Sequence, residues 1–151
     1  MTTHIAPSDF LLPARVHSRI DAFYALWREN CRGGLPEAAQ FNLTLLSSTY
    51  PLLARIGMDA AGKTLMWRDV AHAGHWPFKT PVKGRPVLQS VPVASIKRVV
   101  AAFQQTLSSG IPDYYEATSW SNDGQTVSMA RIAVPVSGKS GRELLAYWEV
   151  L

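Results

Sequence analysis

Residues Val93–Leu151 decide the fold: VASIKRVVAAFQQTLSSGIPDYYEATSWSNDGQTVSMARIAVPVSGKSGRELLAYWEVL. Ile96, Val99, Val100, Phe103 and Leu107 recur at i, i+3, i+4, i+7 and i+11, one apolar stripe on a helix. The spacing predicts a helix over Val93–Ser109. Gly110 supplies its C-terminal stop, and Pro112 cannot continue it. Three strands follow, predicted at Pro112–Trp120, Thr126–Val136 and Glu143–Leu151. The turns between them are Ser121-Asn122-Asp123-Gly124 and Ser137-Gly138-Lys139-Ser140-Gly141. In the second of these strands Ala130, Ile132, Val134 and Val136 alternate with Met129, Arg131, Ala133 and Pro135. In the third, Leu144, Ala146, Trp148 and Val150 alternate with Leu145, Tyr147 and Glu149. The period of two sends alternate residues to opposite faces. The all-apolar sets are expected to share the core with the helix, leaving Arg131 on the opposite side. The remaining sets are also rather apolar, so the outer face should be covered by the first helix or by a second subunit.

Upstream, Ser18–Cys31 reads as a helix with Ile20, Phe23, Tyr24 and Trp27 on one face. Gly33-Gly34 ends it and Pro36 forbids continuation. A short helix is expected over Asn42–Ser48. Leu52–Met58 and Lys63–Ala71 read as strands joined by the turn Asp59-Ala60-Ala61-Gly62. Four prolines between Gly74 and Pro92 argue for an irregular crossover with at most single helical turns. The order of elements is that of an α+β fold with a five-stranded antiparallel sheet, crossover helices and an N-terminal helical extension. Residues 1–17 are expected to form an N-terminal arm and residues 18–151 a single domain.

The 151 residues are 47% hydrophobic and 17% charged, an ordinary globular balance long enough to bury a core. The net charge of +4 is spread along the chain, without the clustering that a nucleic-acid footprint needs. Cys31 is the single cysteine, which excludes an internal disulfide and a multi-cysteine metal site. No apolar run approaches the roughly 20 residues that span a bilayer, and no secretory signal pattern opens the chain. A cytoplasmic location is the expectation.

Several features together resemble a family. They are Tyr24 and Trp27 in the opening helix, Leu35-Pro36 after it, and Tyr50-Pro51-Leu52-Leu53-Ala54-Arg55-Ile56 leading into the first strand. Gly84-Arg85 in the middle loop and Arg131 with Pro135-Val136 on the fourth strand complete the set. In this order and spacing, over about Asp21–Leu151, the chain resembles PAS domains, specifically the stand-alone PAS-like proteins of alphaproteobacteria. The resemblance implies a PAS-like fold and a non-enzymatic sensory or regulatory module. Such a module binds a small ligand, a signalling protein partner, or both.

The ligand-pocket candidates are Val99, Phe103, Ile132, Val134, Trp148 and Trp67, which could line a cavity for a small apolar or aromatic ligand. Aromatic residues of this kind equally serve as plain core or as a dimer interface. Arg131 interrupts an apolar strand. Its guanidinium is either a contact for an acidic ligand or partner carboxylate, or half of an ion pair with Glu116 or Glu149. His72 and His75 are candidate polar contacts or metal ligands. The alternative places one at a pocket rim and the other in solvent, and no third ligand has a recognisable spacing, so no metal is assigned.

Haem and flavin are not expected. PAS haem sensors usually hold iron through a histidine on the long helix, and Val93–Ser109 has none. Asn30-Cys31-Arg32 repeats three letters of a flavin-photosensor motif, but at the end of the first helix, where the rest of that motif is missing. Cys31 reads better as a small hydrophobe. No nucleophile–base–acid set is visible. The runner-up reading is a small α+β enzyme or carrier whose apolar cavity uses His72 or Asp69 as acid–base groups. A homodimer is expected, formed through the arm and first helix and burying Phe10, Leu11, Phe23 and Trp27.

Overall fold

The computed structural model describes residues 18–71, 82–91, 95–122 and 125–150. The N-terminal arm with Phe10 and Leu11, and both His72 and His75, lie outside the described residues. Helix α1 spans Ser18–Glu29, α2 Leu43–Leu46 and α3 Ile96–Ser109. The strands are β1 Leu53–Met58, β2 Leu65–Val70, β3 Asp113–Asn122, β4 Gln125–Gly138 and β5 Gly141–Val150. They form one five-stranded sheet in the order β2-β1-β5-β4-β3, with every neighbouring pair antiparallel. This is the α+β layout that the sequence predicts.

The sheet is covered on both faces. On one, α3 lays down Val99 and Phe103 with Val82, Val87 and Val91 of the crossover, over Ala54, Ile56, Trp67, Ala133, Leu144, Ala146 and Trp148. On the other, α1 packs Ile20, Phe23, Tyr24 and Trp27 against Leu53, Ala130, Ile132, Val134, Leu145 and Tyr147. Coverage on both sides explains why β4 and β5 are apolar at nearly every position rather than at alternate ones. Phe23 and Trp27 are fully buried within a single chain. A dimer therefore cannot be what removes these two side chains from water, which corrects that part of the sequence reading.

The α1 anchor is specific. Trp27 Nε1 donates a buried 2.8 Å hydrogen bond to the Pro135 carbonyl. That carbonyl is accessible because β3 begins opposite Ala133, so Pro135 lies past the end of its neighbour. The vacated edge of β4 is taken instead by the segment after α1, where Ser137 N–H donates to Pro36 at 2.8 Å. Phe23, Tyr50 and Tyr147 form a ring cluster with centroids 5.2–5.7 Å apart, within the range of favourable edge-on contact.

Helix α3 ends where the sequence says it should. Gly110 adopts φ 71°, a left-handed cap that any Cβ would disfavour, and its N–H bonds the Thr106 carbonyl. Arg142, from the start of β5, donates to the last-turn carbonyls of Leu107 and Ser108 at 2.8 and 3.1 Å. A cation at this helix end also meets the negative pole of the helix dipole.

The face assignment in the last two strands differs from expectation. Gly138 pairs with Gly141, so the β4–β5 loop is only Lys139-Ser140, shorter than the five-residue turn read from sequence. The tight closure, with Gly141 at φ 137°, sets the register Arg131↔Trp148 and Ile132↔Tyr147. Directly opposed residues share a face. Arg131 and Trp148 are therefore on the α3 side, and Ile132 and Val134 are on the α1 side. A shift of one residue in pairing exchanges the faces of a whole strand, and the loop length decides it.

Candidate functional site

The α3 side of the sheet holds the most unusual group among the described residues. Arg131 is 1% exposed, one of the largest fully buried side chains among the described residues. Its neighbours follow from strand register and helix phase. Tyr115 on β3 and Trp148 on β5 oppose it across the ladder. Phe103 reaches down from α3, its ring centroid 5.2 Å from the guanidinium carbon, and the Tyr115 ring stands at 5.7 Å. Trp148 packs edge-on to Phe103 at 6.1 Å and tilts against Trp67 at 5.9 Å. The result is a cation among aromatic faces, whose negative quadrupoles favour it.

Hydrogen bonding is incomplete there. Arg131 Nη2 meets Asp113 Oδ2 at 3.3 Å. Among the described residues, Nε and Nη1 have no hydrogen-bond partner. Thr106, in helical phase with Val99 and Phe103, is also buried with an unpartnered hydroxyl. Burial pushes the Arg131 pKa down, and the Asp113 carboxylate pushes it back up. The guanidinium remains charged, because its ordinary pKa lies far above neutral pH. Desolvating a charge without satisfying its donors costs several kcal/mol on the order-of-magnitude scale for buried ions, so this is a feature the fold tolerates rather than one that stabilises it.

Of the six apolar candidates named from sequence, Val99, Phe103, Trp67 and Trp148 come together on this side. Ile132 and Val134 do not: they lie beneath α1 with Ile20, Phe23 and Trp27. Arg131, expected opposite to this cluster, is at its centre. Its acidic partner is Asp113, not Glu116 or Glu149. Glu116 instead accepts from the Tyr114 hydroxyl at 2.8 Å. Glu149 pairs in register with Ala130, on the α1 side. Sequence reasoning missed Asp113 and Thr106, and did not place the aromatic Tyr115 beside Arg131. Tyr115 and Asp113 needed the β3–β4 register, and Thr106 was readable from helical phase with Phe103.

The remaining candidates are elsewhere. Asp69 lies on β2, ion-paired to Lys83 at 3.4 Å and accepting from Val70 N–H. Cys31 is half-buried, and burial pushes its thiol up to about 11, which suits a small hydrophobe and not a nucleophile. Among the described residues, no cluster of three or more His, Cys, Asp or Glu could hold a metal ion. Among the same residues, no helix is long and apolar enough to cross a membrane.

A second charged cluster sits at the other end of the sheet. Glu143 lies between Arg55 and Arg68, with nitrogen–oxygen distances of 3.9 and 3.8 Å. Its side chain occupies the space above Gly57 and Gly138, where a Cβ on either glycine would collide with it. All three side chains are partly exposed, and the pairs are long, so the cluster is a solvated surface network of small energetic weight. No family model, no curated protein and no solved structure matches the chain. What the geometry establishes is an α+β protein whose five-stranded antiparallel sheet, ordered β2-β1-β5-β4-β3, buries one under-bonded guanidinium beneath α3.

Proposed function

We propose that this chain is a PAS-like sensory or regulatory module. It binds a small ligand between α3 and the sheet and passes the signal to a protein partner. The observation that carries the reading is the buried Arg131, ringed by Phe103, Tyr115 and Trp148 with two donor atoms unpartnered among the described residues. A side chain so placed has little to offer stability, and a ligand acceptor would supply what it lacks. The sheet order and the long helix across one face agree with the architecture that the resemblance to PAS domains implies. Aromatic walls with a few convergent polar groups are the usual composition of a small-molecule site.

The test is native mass spectrometry with an absorption spectrum on freshly purified protein. The expected result is a non-covalently bound small molecule that is lost on denaturation. Protein of bare polypeptide mass, to which no member of a metabolite panel binds, would refute the ligand-binding reading.

A further inference from the structure

We infer that the ligand is a small planar monocarboxylate, and that Asp113 occupies its place in the free protein. The inference rests on the ligand-binding reading above and specifies its chemistry.

A guanidinium carries five N–H donors in a planar fork that matches a carboxylate two-on-two. In Arg131 only Nη2 is engaged, and at 3.3 Å the contact is long for a charge-assisted bond, which normally spans about 2.7–2.9 Å. Asp113 therefore touches one corner of the fork and leaves Nε and Nη1 without a partner among the described residues. A carboxylate that is free to orient can take two donors at once.

The charge balance points the same way. Arg98, on the exposed side of α3, stands 5.1 Å from the centroid of the Tyr115 ring, which Arg131 also approaches. Among the described residues, the charged and titratable groups that act on Arg131 are Asp113, Tyr115 and Arg98. Arg98 is exposed and met by water, so the interior charge to be balanced once Asp113 is displaced is that of Arg131 alone. A monoanion replaces the Asp113 carboxylate one for one, whereas a dianion such as phosphate overshoots. The flat faces of Phe103, Tyr115 and Trp148 suit a planar body attached to the carboxylate.

Access is set by Asp113. Arg131 is 1% exposed in its side chain but Asp113 is 37% exposed, so the pair runs from the interior to the surface. Asp113 is the first residue of β3, three residues after the Gly110 cap and just before the bulge between Tyr115 and Thr118. Turning its side chain outward disturbs little of the ladder. An incoming carboxylate meets Asp113 first, takes over Nη2 and extends onto the free donors. The displaced Asp113 then becomes fully solvated at the α3–β3 junction, which gives binding a structural consequence at the surface.

The experiment titrates the full chain with acetate, benzoate and indole-3-acetate, and with benzamide as the neutral counterpart of benzoate. Calorimetry gives the affinity, and the arginine Nε–H resonance of Arg131 reports the site. At least one aromatic carboxylate should bind more tightly than acetate and shift that resonance, while benzamide should not. Asp113→Asn removes the internal competitor and should tighten binding about tenfold, about 1.4 kcal/mol. Arg131→Met should abolish binding. Arg131→Lys keeps the charge but loses the fork, and should weaken binding at least tenfold even if the methionine variant misfolds.

Equal binding of benzoate and benzamide would overturn the inference. So would an unchanged or weaker affinity in Asp113→Asn, or binding of an acidic peptide in place of any of the small acids. A co-purifying molecule that stays bound in Arg131→Met would leave the ligand-binding reading intact and sink the carboxylate assignment alone. Rejection of all three acids in the Asp113→Asn background would sink the carboxylate assignment, and protein that in addition purifies empty and binds no member of a metabolite panel would sink both.

Discussion

Replacing Trp27 by phenylalanine removes a buried side-chain hydrogen bond that ties α1 to the sheet, while keeping an aromatic ring in place. Trp27 is 0% exposed and its Nε1 lies 2.8 Å from the Pro135 carbonyl. The substitution leaves that carbonyl buried without its donor, which costs about 1–2 kcal/mol. The lost part of the indole leaves a gap in the α1-side core, where Tyr24 stacks beside it, adding about 1–2 kcal/mol on the scale of large-to-small core changes. The expected loss is about 3 kcal/mol, or roughly 6–12 °C in Tm for a domain of this size. Urea denaturation followed by far-ultraviolet circular dichroism measures it. Hydrogen exchange gives an independent readout, because the Ser137 amide, bonded to the Pro36 carbonyl beside this contact, should lose protection. A loss below about 1 kcal/mol would refute the argument. It would mean that α1 is held by diffuse apolar contact and that the Pro135 carbonyl finds another donor.

Other substitutions test the opposite face and the ends of elements. Arg131→Met should keep stability within about 1 kcal/mol of the parent, since it replaces a poorly bonded buried ion with an apolar chain of similar reach. Arg131→Ala adds a cavity and should lose about 3 kcal/mol; equal losses in both variants, by the same denaturation assay, would contradict this. Arg142→Ala removes a cation from the C-terminus of α3 and should cost about 0.5–1 kcal/mol, with faster amide exchange in the last helical turn. At high pH the protein should lose stability. Burial raises Tyr147 from 10.0 to about 12 and Cys31 from 9.0 to about 11. The folded state thus holds protons that the unfolded chain releases, so stability is full below about pH 9 and falls as pH rises towards 12. Tyr147→Phe should flatten the upper part of that decline in a pH series of denaturant midpoints, and an unchanged slope would contradict the assignment.

The local elements were legible because each rests on short-range physics. The apolar stripe of α3, the Gly110 cap and the alternation in β4 and β5 are set within a few residues of one another. Asn42, expected to open a short helix, does so as an N-cap whose side chain accepts from Leu45 N–H. The prolines argue for an irregular crossover; its described part, 82–91, holds a single 3-10 turn at Val87–Gln89 and supplies Val82, Val87 and Val91 to the core. The candidate site was only half legible. Val99, Phe103, Trp67 and Trp148 were correctly grouped as apolar neighbours, whereas Ile132, Val134 and Arg131 were each assigned to the wrong side.

That error marks the boundary between the two kinds of information. Sequence by itself determined the α+β class, the period of each element, the chain reversals and the presence of one arginine in an otherwise apolar strand. Alternation says that Arg131 and Ile132 point oppositely, but not which of them faces α3. That choice depends on the pairing register, and the two-residue loop Lys139-Ser140 sets it for β5 against β4. Only the tertiary structure brought Arg131 beneath Phe103, opposite Tyr115 and Trp148, with Asp113 at the surface end of the pair. The physical reason is that periodicity is a property of one strand, whereas a face exists only once strands are paired and covered.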